Sequence, residues 1–150
     1  MRIDDTIGAV LKNKPQNKVL SIEPDETVYS ALECMAAHDI GALLVCAGDG
    51  LVGILSERDY ARKCVLLGHL SKETRVSQIM TSPVRAVTPD NTVDDCLALM
   101  TQHHFRHLPV LHNDKVIGLV SIGDLVKWVI NSQQHAIGAL ESYITGGYTA

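Results

Sequence analysis

The chain has 150 residues, of which 46% are hydrophobic and 20% are charged, and its formal net charge at pH 7 is −4. A chain of this length can bury one full hydrophobic core, and the composition excludes a disordered protein. The net negative charge argues against non-specific binding to nucleic acid, which requires clustered Lys and Arg side chains. No apolar run approaches the roughly 20 residues that cross a bilayer, so we expect a globular protein with no nucleic-acid or membrane partner.

The N-terminal segment carries two acids, Asp4 and Asp5, where a secretory signal would carry basic and then apolar residues. We therefore expect a cytoplasmic location. The two nearest cysteines, Cys34 and Cys46, are 12 positions apart, and each of the four cysteines lies in an apolar stretch. This pattern predicts buried, reduced thiols.

An internal repeat spans most of the chain. Residues 19–62 and 84–127 align without a gap at an offset of 65 positions. The identical pairs include Pro24/Pro89, Asp25/Asp90, Thr27/Thr92, Val28/Val93, Leu32/Leu97, Met35/Met100, Gly53/Gly118, Ser56/Ser121 and Asp59/Asp124. So many matches in register predict two copies of one structural unit.

Each copy begins with a short strand and continues with a capped helix. Thr27 and Thr92 stand before runs whose apolar residues follow helical i, i+3, i+4, i+7 spacing. Thr92 and Asp95 also fit a capping box, in which each side chain bonds the other residue's backbone amide. We therefore expect an amphipathic helix after each threonine.

Two strands and a second helix complete each copy. The strands are predicted at 42–46 and 51–55, joined by a turn that contains Asp-Gly, and again at 108–111 and 116–120. A second helix follows at Ser56 and at Ser121, and Gly68 is a suitable left-handed residue just past the first of these helices. Short helices are expected at 6–11 and 76–80, and the apolar pattern after Lys127 predicts a continuing or separate terminal helix.

The predicted organisation has five parts. They are an N-terminal lead-in at 1–18, a first repeat at 19–68, a connector at 69–83, a second repeat at 84–131, and a C-terminal helix and tail at 132–150.

The residues with the clearest chemical potential form a motif that occurs twice, Ser56-Glu57-Arg58-Asp59 and Ser121-Ile122-Gly123-Asp124. A Ser followed three residues later by an acid is an ordinary capping box. The same carboxylate on a first helical turn can also accept two hydrogen bonds from a ribose diol, while the positive helix end favours phosphate. Both interpretations can hold together.

The two gapless copies, whose first carries P-D-x-T-V, G-A-L-L-V and G-I-L-S-x-x-D, resemble a tandem cystathionine-β-synthase (CBS) domain pair, or Bateman module. The resemblance implies an α/β (α+β) fold with two β-α-β-β-α repeats, related by a pseudo-two-fold axis and packed sheet to sheet. It also implies a regulatory module, without catalytic activity, that binds AMP, ADP, ATP or NAD(H) between the repeats. The strings SERDYARK, RHLPV and SIGDLVK are similar to small stand-alone members, which favours AMP or NAD(H); guanine stays open.

In that family, the acid of each S/T-x-x-D motif holds ribose hydroxyls, and residues of the other copy complete each cleft. The resemblance therefore implies two clefts. The principal cleft would contain Ser56, Glu57, Arg58, Asp59, Thr81, Val84, Arg106, His107 and Leu108. The second cleft would contain Lys14, Lys18, Gly41, Ala42, Ser121, Ile122 and Asp124.

The positions where the two copies differ predict unequal clefts. Arg106 and His107 correspond to Gly41 and Ala42 in the first copy, and Arg58 corresponds to a glycine in the second. If the implied cross-pairing holds, Arg58, Arg106 and His107 converge on Asp59. Because charge-assisted hydrogen bonds to phosphate are roughly twice as strong as neutral ones, we expect the Asp59 cleft to bind phosphate better.

Three alternatives compete with this interpretation. His103, His104 and His107 suggest a metal site, but Pro109 should place His107 in a turn, so no metal site is expected. A nucleotide-hydrolysing enzyme would need a P-loop or a metal, and the sequence carries neither motif. A ligand-independent structural or interaction protein is the third alternative.

The helix after Ser56 is apolar around its circumference, with Tyr60, Ala61, Cys64 and the run 65–67. A helix packed on one side only would be polar on its other side, so this one should bury a second face. CBS pairs commonly form dimers through such helices, which implies a homodimer. An unidentified protein regulated in trans is a further implied partner.

Overall fold

The computed structural model describes residues 4–14 and 19–145. Lys18, which was predicted to line the second cleft, and the predicted tail at 146–150 lie outside the described residues. The helices and strands are α1 (Ile7–Lys12), β1 (Ser21–Ile22), α2 (Val28–His38), β2 (Ala42–Ala47), β3 (Gly50–Ser56), α3 (Glu57–Tyr60) with a π-helical turn (Ala61–Val65), α4 (Val76–Ile79), α5 (Val93–His103), β4 (His107–His112), β5 (Lys115–Ser121) and α6 (Ile122–Thr145).

The predicted mixture of helices and small sheets is confirmed. Strands β1, β2 and β3 form one sheet in that order, with β1 parallel and β3 antiparallel to β2, and β4 pairs with β5. The second repeat differs in one detail, because residues 84–87 contain only an isolated bridge residue, Val87. Pro83 and Pro89 flank this stretch, and neither can donate a backbone hydrogen bond to a neighbouring strand.

The chain divides into two compact units, which are described separately. Unit 1 takes its described residues from 4–14, 87–108 and 119–145. Unit 2 takes them from 19–86 and 109–118. The segment before the first repeat is therefore part of the unit that holds most of the second repeat, and the connector is part of the unit that holds the first.

In unit 2, the connector docks on the turn that precedes α2. The amide of Val28 donates to Thr74 O at 2.8 Å, and the amide of Val76 donates to Glu26 O at 2.9 Å. This reciprocal pair gives partners to amides at the start of both helices, where no intrahelical acceptor exists. The core beneath them contains Val28, Ala31, Met35, Leu43, Val45, Leu55, Cys64, Val76 and Ile79.

In unit 1, α1 docks in the same way on the turn that precedes α5. The amide of Ile7 donates to Asn91 O at 2.8 Å, and the amide of Val93 donates to Asp5 O at 2.9 Å. The buried side chains of this unit are Ile7, Val10, Leu11, Val87, Val93, Cys96, Met100, Leu108, Val120 and Leu125. The apolar side of α1 is thus fixed against the second repeat.

The predicted helix caps are confirmed. The hydroxyl of Thr27 accepts from the amide of Ser30 at 3.1 Å, and that of Thr92 accepts from the amide of Asp95 at 3.0 Å. The Asp95 carboxylate accepts in return from the amide of Thr92 at 2.9 Å, which completes the capping box. Side chains at both helix starts therefore replace missing backbone acceptors.

The turns and the helix ends follow the sequence signals, with small shifts. Gly48 at φ 61° makes the β2–β3 turn, and Gly68 at φ 76° ends the turn that follows α3. The terminal helix is one continuous element, α6, rather than two. Its 24 residues begin at Ile122.

Gly53 lies where the connector crosses strand β3. A Cβ atom built there would meet Met80 Sδ at 2.5 Å and the backbone oxygen of Thr81 at 3.2 Å. At Gly50, in the same strand, the nearest atom to such a Cβ is Ala47 O at 3.5 Å, which is ordinary contact. Only the first position therefore requires the absence of a side chain.

We expect Gly53→Ala to lower the free energy of unfolding by about 1–3 kcal/mol, the usual cost of an extra methyl group in a packed region. Urea unfolding would measure the change. Gly50→Ala is the matched control and should stay within about 0.5 kcal/mol of the wild type. Equal effects of the two substitutions would show that the connector does not approach β3 this closely.

Candidate functional site

Asp59 lies on the first turn of α3 with its carboxylate fully engaged. Its Oδ2 accepts from the amide of Ser56 at 3.0 Å and from the Ser56 hydroxyl at 3.1 Å. Its Oδ1 lies 3.0 Å from Lys63 Nζ and accepts from the hydroxyl of Thr81 at 3.1 Å. The residue caps the helix and joins two further polar side chains.

Thr81 reaches Asp59 because the connector pairs with strand β3. Ile54 and Thr81 exchange two backbone hydrogen bonds, of 3.1 Å and 2.8 Å. The predicted grouping of Thr81 with Asp59 is therefore present. Val84, three residues later in the same unit, is half-buried.

Asp124 occupies the corresponding place on α6. Its Oδ2 accepts from the amide of Ser121 at 2.9 Å, and its own amide donates to the Ser121 hydroxyl at 3.1 Å. Lys14 Nζ lies 3.0 Å from the same Oδ2 and donates to Leu119 O at 2.9 Å. The predicted grouping of Lys14 with Asp124 is therefore present as well.

The two carboxylates differ in accessibility. The Asp59 side chain is 11% exposed to solvent, and the Asp124 side chain is 23% exposed. Asp59 is bonded through both oxygens to groups of the protein, so a ligand there would have to displace Thr81 or Lys63. Asp124 is the easier of the two to reach.

A cavity of about 690 Å³ opens beside Asp124, within unit 1. This volume falls in the range of small-molecule sites. It is lined by Val10, Asn13, Lys14, Asp124, Lys127, Trp128, Asn131, Ser132 and His135. The indole of Trp128 is held in place because its Nε1 donates to Asp5 Oδ2 at 2.8 Å.

The convergence of Arg106 and His107 on Asp59, which was expected from the sequence, stays a prediction. Arg106 and His107 belong to the same unit as Asp124, and Arg106 O accepts from the amide of Ile122 at 2.8 Å. The physical reason is strand pairing: β4 starts at His107 and pairs with β5, which ends at Ser121, immediately before α6. The buried Leu108 follows in β4. Within unit 1, the positive charge of Arg106 and the imidazole of His107 therefore lie on the Asp124 side.

Strand pairing places Gly41 and Ala42 by the same rule. Gly41 O accepts from the amide of Glu57 at 3.0 Å, and Ala42 is in register with Ser56. Both residues lie at the start of α3, beside Asp59, and their place in the Asp124 cleft stays a prediction. Glu57 and Arg58 are exposed on that helix turn.

Several residues around the two carboxylates were missed in the sequence. Lys63 stands four positions after Asp59, a spacing that brings side chains together on a helix, and this signal was available. Trp128, Asn131 and His135 follow Asp124 at helical spacing, but only the docking of α1 opposite them creates a cavity. No local pattern in the sequence predicts that α1 docks there.

The environment of His107 lowers the pKa of its imidazole. Burial is the largest cause, and the charge of Asp124 opposes it by favouring the imidazolium. The positive charges of Lys14 and Arg106 lower the pKa further. His107 is therefore neutral at pH 7 in the folded chain.

The histidine cluster that suggested a metal has another arrangement. His103 stacks on Phe105 with ring centroids 5.7 Å apart, and His104 caps α5 in the left-handed conformation. Within residues 4–14 and 19–145, no group of three or more His, Cys, Asp or Glu side chains could hold a metal ion. Across the same residues, no helix is both long and apolar enough to cross a membrane.

The structure has a repeated helix-strand-strand unit, and an acid lies on the first turn of each second helix. These features match one protein family. The family model of the CBS domain matches residues 7–65 and 76–131. The chain belongs to the CBS domain family. CBS domain pairs are in general regulatory, ligand-binding modules.

Relatives extend the match to most of the chain. The mitochondrial CBS domain-containing protein CBSX3 of Arabidopsis thaliana is 40% identical over 95% of this chain and 73% of its own length. A CBS-domain protein from Burkholderia ambifaria MC40-6 is 52% identical, with a TM-score of 0.83 over 85% of this chain and 96% of that one. The cytoplasmic location expected from the sequence stays a prediction.

One relative of known assembly is a hexamer. The hexameric CBS-CP12 protein from bloom-forming cyanobacteria is 27% identical, with a TM-score of 0.72 over 81% of this chain and 66% of that one. Self-association thus occurs among CBS-domain proteins.

We expect the lowered pKa of His107 to make the CBS pair less stable in mild acid. As the pH falls below about 6.5, His107 takes up a proton in the unfolded state before it does so in the folded state. Protonation therefore stabilises the unfolded state, and the free energy of unfolding decreases. Melting temperatures between pH 7.5 and pH 5.5 would measure this loss. In His107→Gln the fall should be smaller; an identical fall in both proteins would contradict the assignment.

Proposed function

We propose that this CBS pair is a regulatory module that binds an adenine nucleotide, AMP or NAD(H) in the first instance, and that it has no catalytic activity. The observation that carries the proposal is the cavity beside Asp124, in which a carboxylate, an ammonium group and an indole lie together. The opposite charges suit the two ends of a nucleotide, since ribose offers hydroxyl donors and phosphate offers anionic acceptors.

Each part of the ligand has a candidate partner on the cavity wall. The Asp124 carboxylate is the acceptor for ribose hydroxyls, the role that its position holds in the family. Lys14 and Lys127 supply positive charge for phosphate. The indole of Trp128 offers an aromatic face on which a purine can stack.

The location of positive charge makes Asp124 the principal site in this proposal. Lys14 lies 3.0 Å from the carboxylate, and Lys14, Arg106 and Asp124 all act electrostatically on His107. Asp59 is bonded to Lys63 and Thr81 and has less exposed surface. The Asp59 motif is proposed as a second, weaker position for the same class of ligand.

The non-catalytic part of the proposal rests on how the acids are used. Asp59 and Asp124 each accept a backbone amide hydrogen bond at a helix start, so both carboxylates already serve as helix caps. Phosphoryl transfer also requires a positioned nucleophile and cations on the transferred group.

We expect a ligand panel of AMP, ATP, NADH and GTP to raise the melting temperature, with AMP or NADH strongest. At ligand about 100 times its dissociation constant, the gain is about 2.7 kcal/mol, or several degrees for a chain of this size. Asp124→Asn should weaken binding about tenfold or more, because it removes the charged acceptor. Asp59→Asn is the matched control, since it loses the same kind of capping bond, and it should weaken binding less.

Two results would contradict this prediction. If none of the four nucleotides shifts the melt and none co-purifies with the chain, the binding proposal fails. If Asp59→Asn weakens binding more than Asp124→Asn, the principal site is at Asp59. The best ligand should also be recovered unchanged after incubation with the protein, and turnover above that of Asp124→Asn would refute the non-catalytic part.

We further propose that the chain self-associates through the surface at the end of the π-helical turn. Four apolar side chains remain exposed there: Val65 at 51%, Leu66 at 75%, Leu67 at 65% and Leu70 at 63%. A contiguous apolar surface of this kind is typical of a protein interface. The hexameric relative supports association within the family, and a protein regulated in trans is the proposed further partner.

We expect Leu66→Glu to shift the protein towards the monomer, so that sedimentation velocity gives a lower apparent molar mass. The substitution would bury a charge in the proposed interface. Gln102→Glu adds the same charge on the exposed side of α5 and should leave the mass unchanged. A wild-type chain that is monomeric at every concentration would contradict this use of the surface.

A further inference from the structure

Lys14 places its ammonium group on the same carboxylate that the proposed ligand needs. Its Nζ lies 3.0 Å from Asp124 Oδ2 and donates to Leu119 O at 2.9 Å. The same Oδ2 accepts from the amide of Ser121 at 2.9 Å, so protein groups already use both of its lone-pair directions. A ribose diol that bonds to Asp124 therefore competes with Lys14 for this oxygen.

Only the side chain of Lys14 has to move to release Asp124. The backbone is held at the end of α1, where the amide of Lys14 donates to Leu11 O at 3.2 Å and Asn13 Nδ2 donates to Ala9 O at 2.9 Å. The ammonium group is a point charge on a flexible four-carbon chain, and the side chain is 26% exposed. It can leave the carboxylate while α1 stays folded and docked.

The ligand decides what the ammonium group gains when it moves. Lys14 and Lys127 both line the cavity, and Lys127 follows Asp124 by three positions, which places both on one side of α6. A phosphate near Lys127 offers Lys14 a charge-assisted contact in place of the one that it gives up. An uncharged nucleoside offers no such contact, so the bonds of Lys14 are broken without replacement.

The corresponding carboxylate in the first repeat is covered in a different way. Lys63 Nζ lies 3.0 Å from Asp59 Oδ1, and the hydroxyl of Thr81 donates to the same oxygen at 3.1 Å. An anion that drew Lys63 away would leave Thr81 on the carboxylate. An exchange that needs one lysine to move is therefore specific to Asp124.

We propose that Lys14 makes the Asp124 cavity specific for ligands with an anionic group, because it covers the carboxylate until an anion draws it away. This role rests on the proposed nucleotide function, and it defines the accepted ligand as a phosphorylated nucleotide rather than a free nucleoside. Lys14 is a competitor of the ribose and a partner of the phosphate. A lysine that only bound phosphate would have no effect on nucleosides.

The test is the affinity of the full chain for AMP and for adenosine, measured by titration calorimetry in the wild type and in Lys14→Met. The substitution should strengthen adenosine binding about tenfold, because no bond of Lys14 has to be broken. AMP should gain nothing, since the lost phosphate contact offsets the release of Asp124. The preference for AMP over adenosine should therefore fall about tenfold.

Lys12→Met is the matched control. Lys12 carries the same charge two positions earlier, is exposed on α1, and lies outside the set of residues that line the cavity. Its removal should change both affinities less than about twofold, because exposed charges are screened. Lys14→Ser should repeat the effect of Lys14→Met, which excludes a new contact made by the methionine. In an Asp124→Asn background, Lys14→Met should no longer strengthen adenosine binding.

His107 reports the position of Lys14 without any ligand. The positive charge of Lys14 lowers the pKa of His107, while Asp124 and Arg106 act on the same imidazole. Lys14→Met leaves those two groups in place, so an NMR titration should give a higher pKa of His107 than in the wild type. Lys12→Met should leave this pKa unchanged.

The outcomes separate the role of Lys14 from the nucleotide function. If the wild type binds AMP but Lys14→Met leaves adenosine binding unchanged or weaker, the role of Lys14 is refuted alone. An unchanged pKa of His107 in Lys14→Met also refutes it, because Lys14 would then not lie beside Asp124. If neither compound binds the wild type or any variant while the pKa of His107 rises as expected, the nucleotide function fails, and the specificity fails with it.

Discussion

The structure depends on a reciprocal exchange of backbone hydrogen bonds between a short helix and the turn that precedes a longer one. In unit 1, Ile7 donates to Asn91 and Val93 donates to Asp5; in unit 2, Val28 donates to Thr74 and Val76 donates to Glu26. Each bond satisfies an amide at a helix start that has no partner within its own helix. These contacts join distant parts of the chain. Each unit therefore combines a repeat with a short helical segment that lies outside it in the sequence.

This exchange also assembles the candidate sites. Lys14 follows α1, so the docking of α1 brings its ammonium group to Asp124; Thr81 follows α4, so the docking of the connector brings its hydroxyl to Asp59. The two repeats therefore place equivalent aspartates, Asp59 and Asp124, in different surroundings. At Asp59 the polar contacts close around the carboxylate, and at Asp124 a cavity remains open beside it.

The terminal helix extends this division of roles. Its first turn is capped by Ser121 and Asp124, its following turns line the cavity, and the side opposite the cavity carries exposed apolar side chains. The same helix therefore contributes the acid, the indole and part of the wall of the proposed ligand site.

The sequence by itself determined the repeat, the element order, the caps at Thr27 and Thr92 and the two S-x-x-D motifs, because short-range spacing and capping chemistry decide these features. It also pointed correctly to Lys14 with Asp124 and to Thr81 with Asp59, through the resemblance to CBS pairs. Only the tertiary structure decided where Arg106 and His107 lie, since strand pairing sets their neighbours and a comparison of the two copies cannot reveal it. The cavity and the continuous α6 were likewise decided by packing, which depends on residues far apart in the chain.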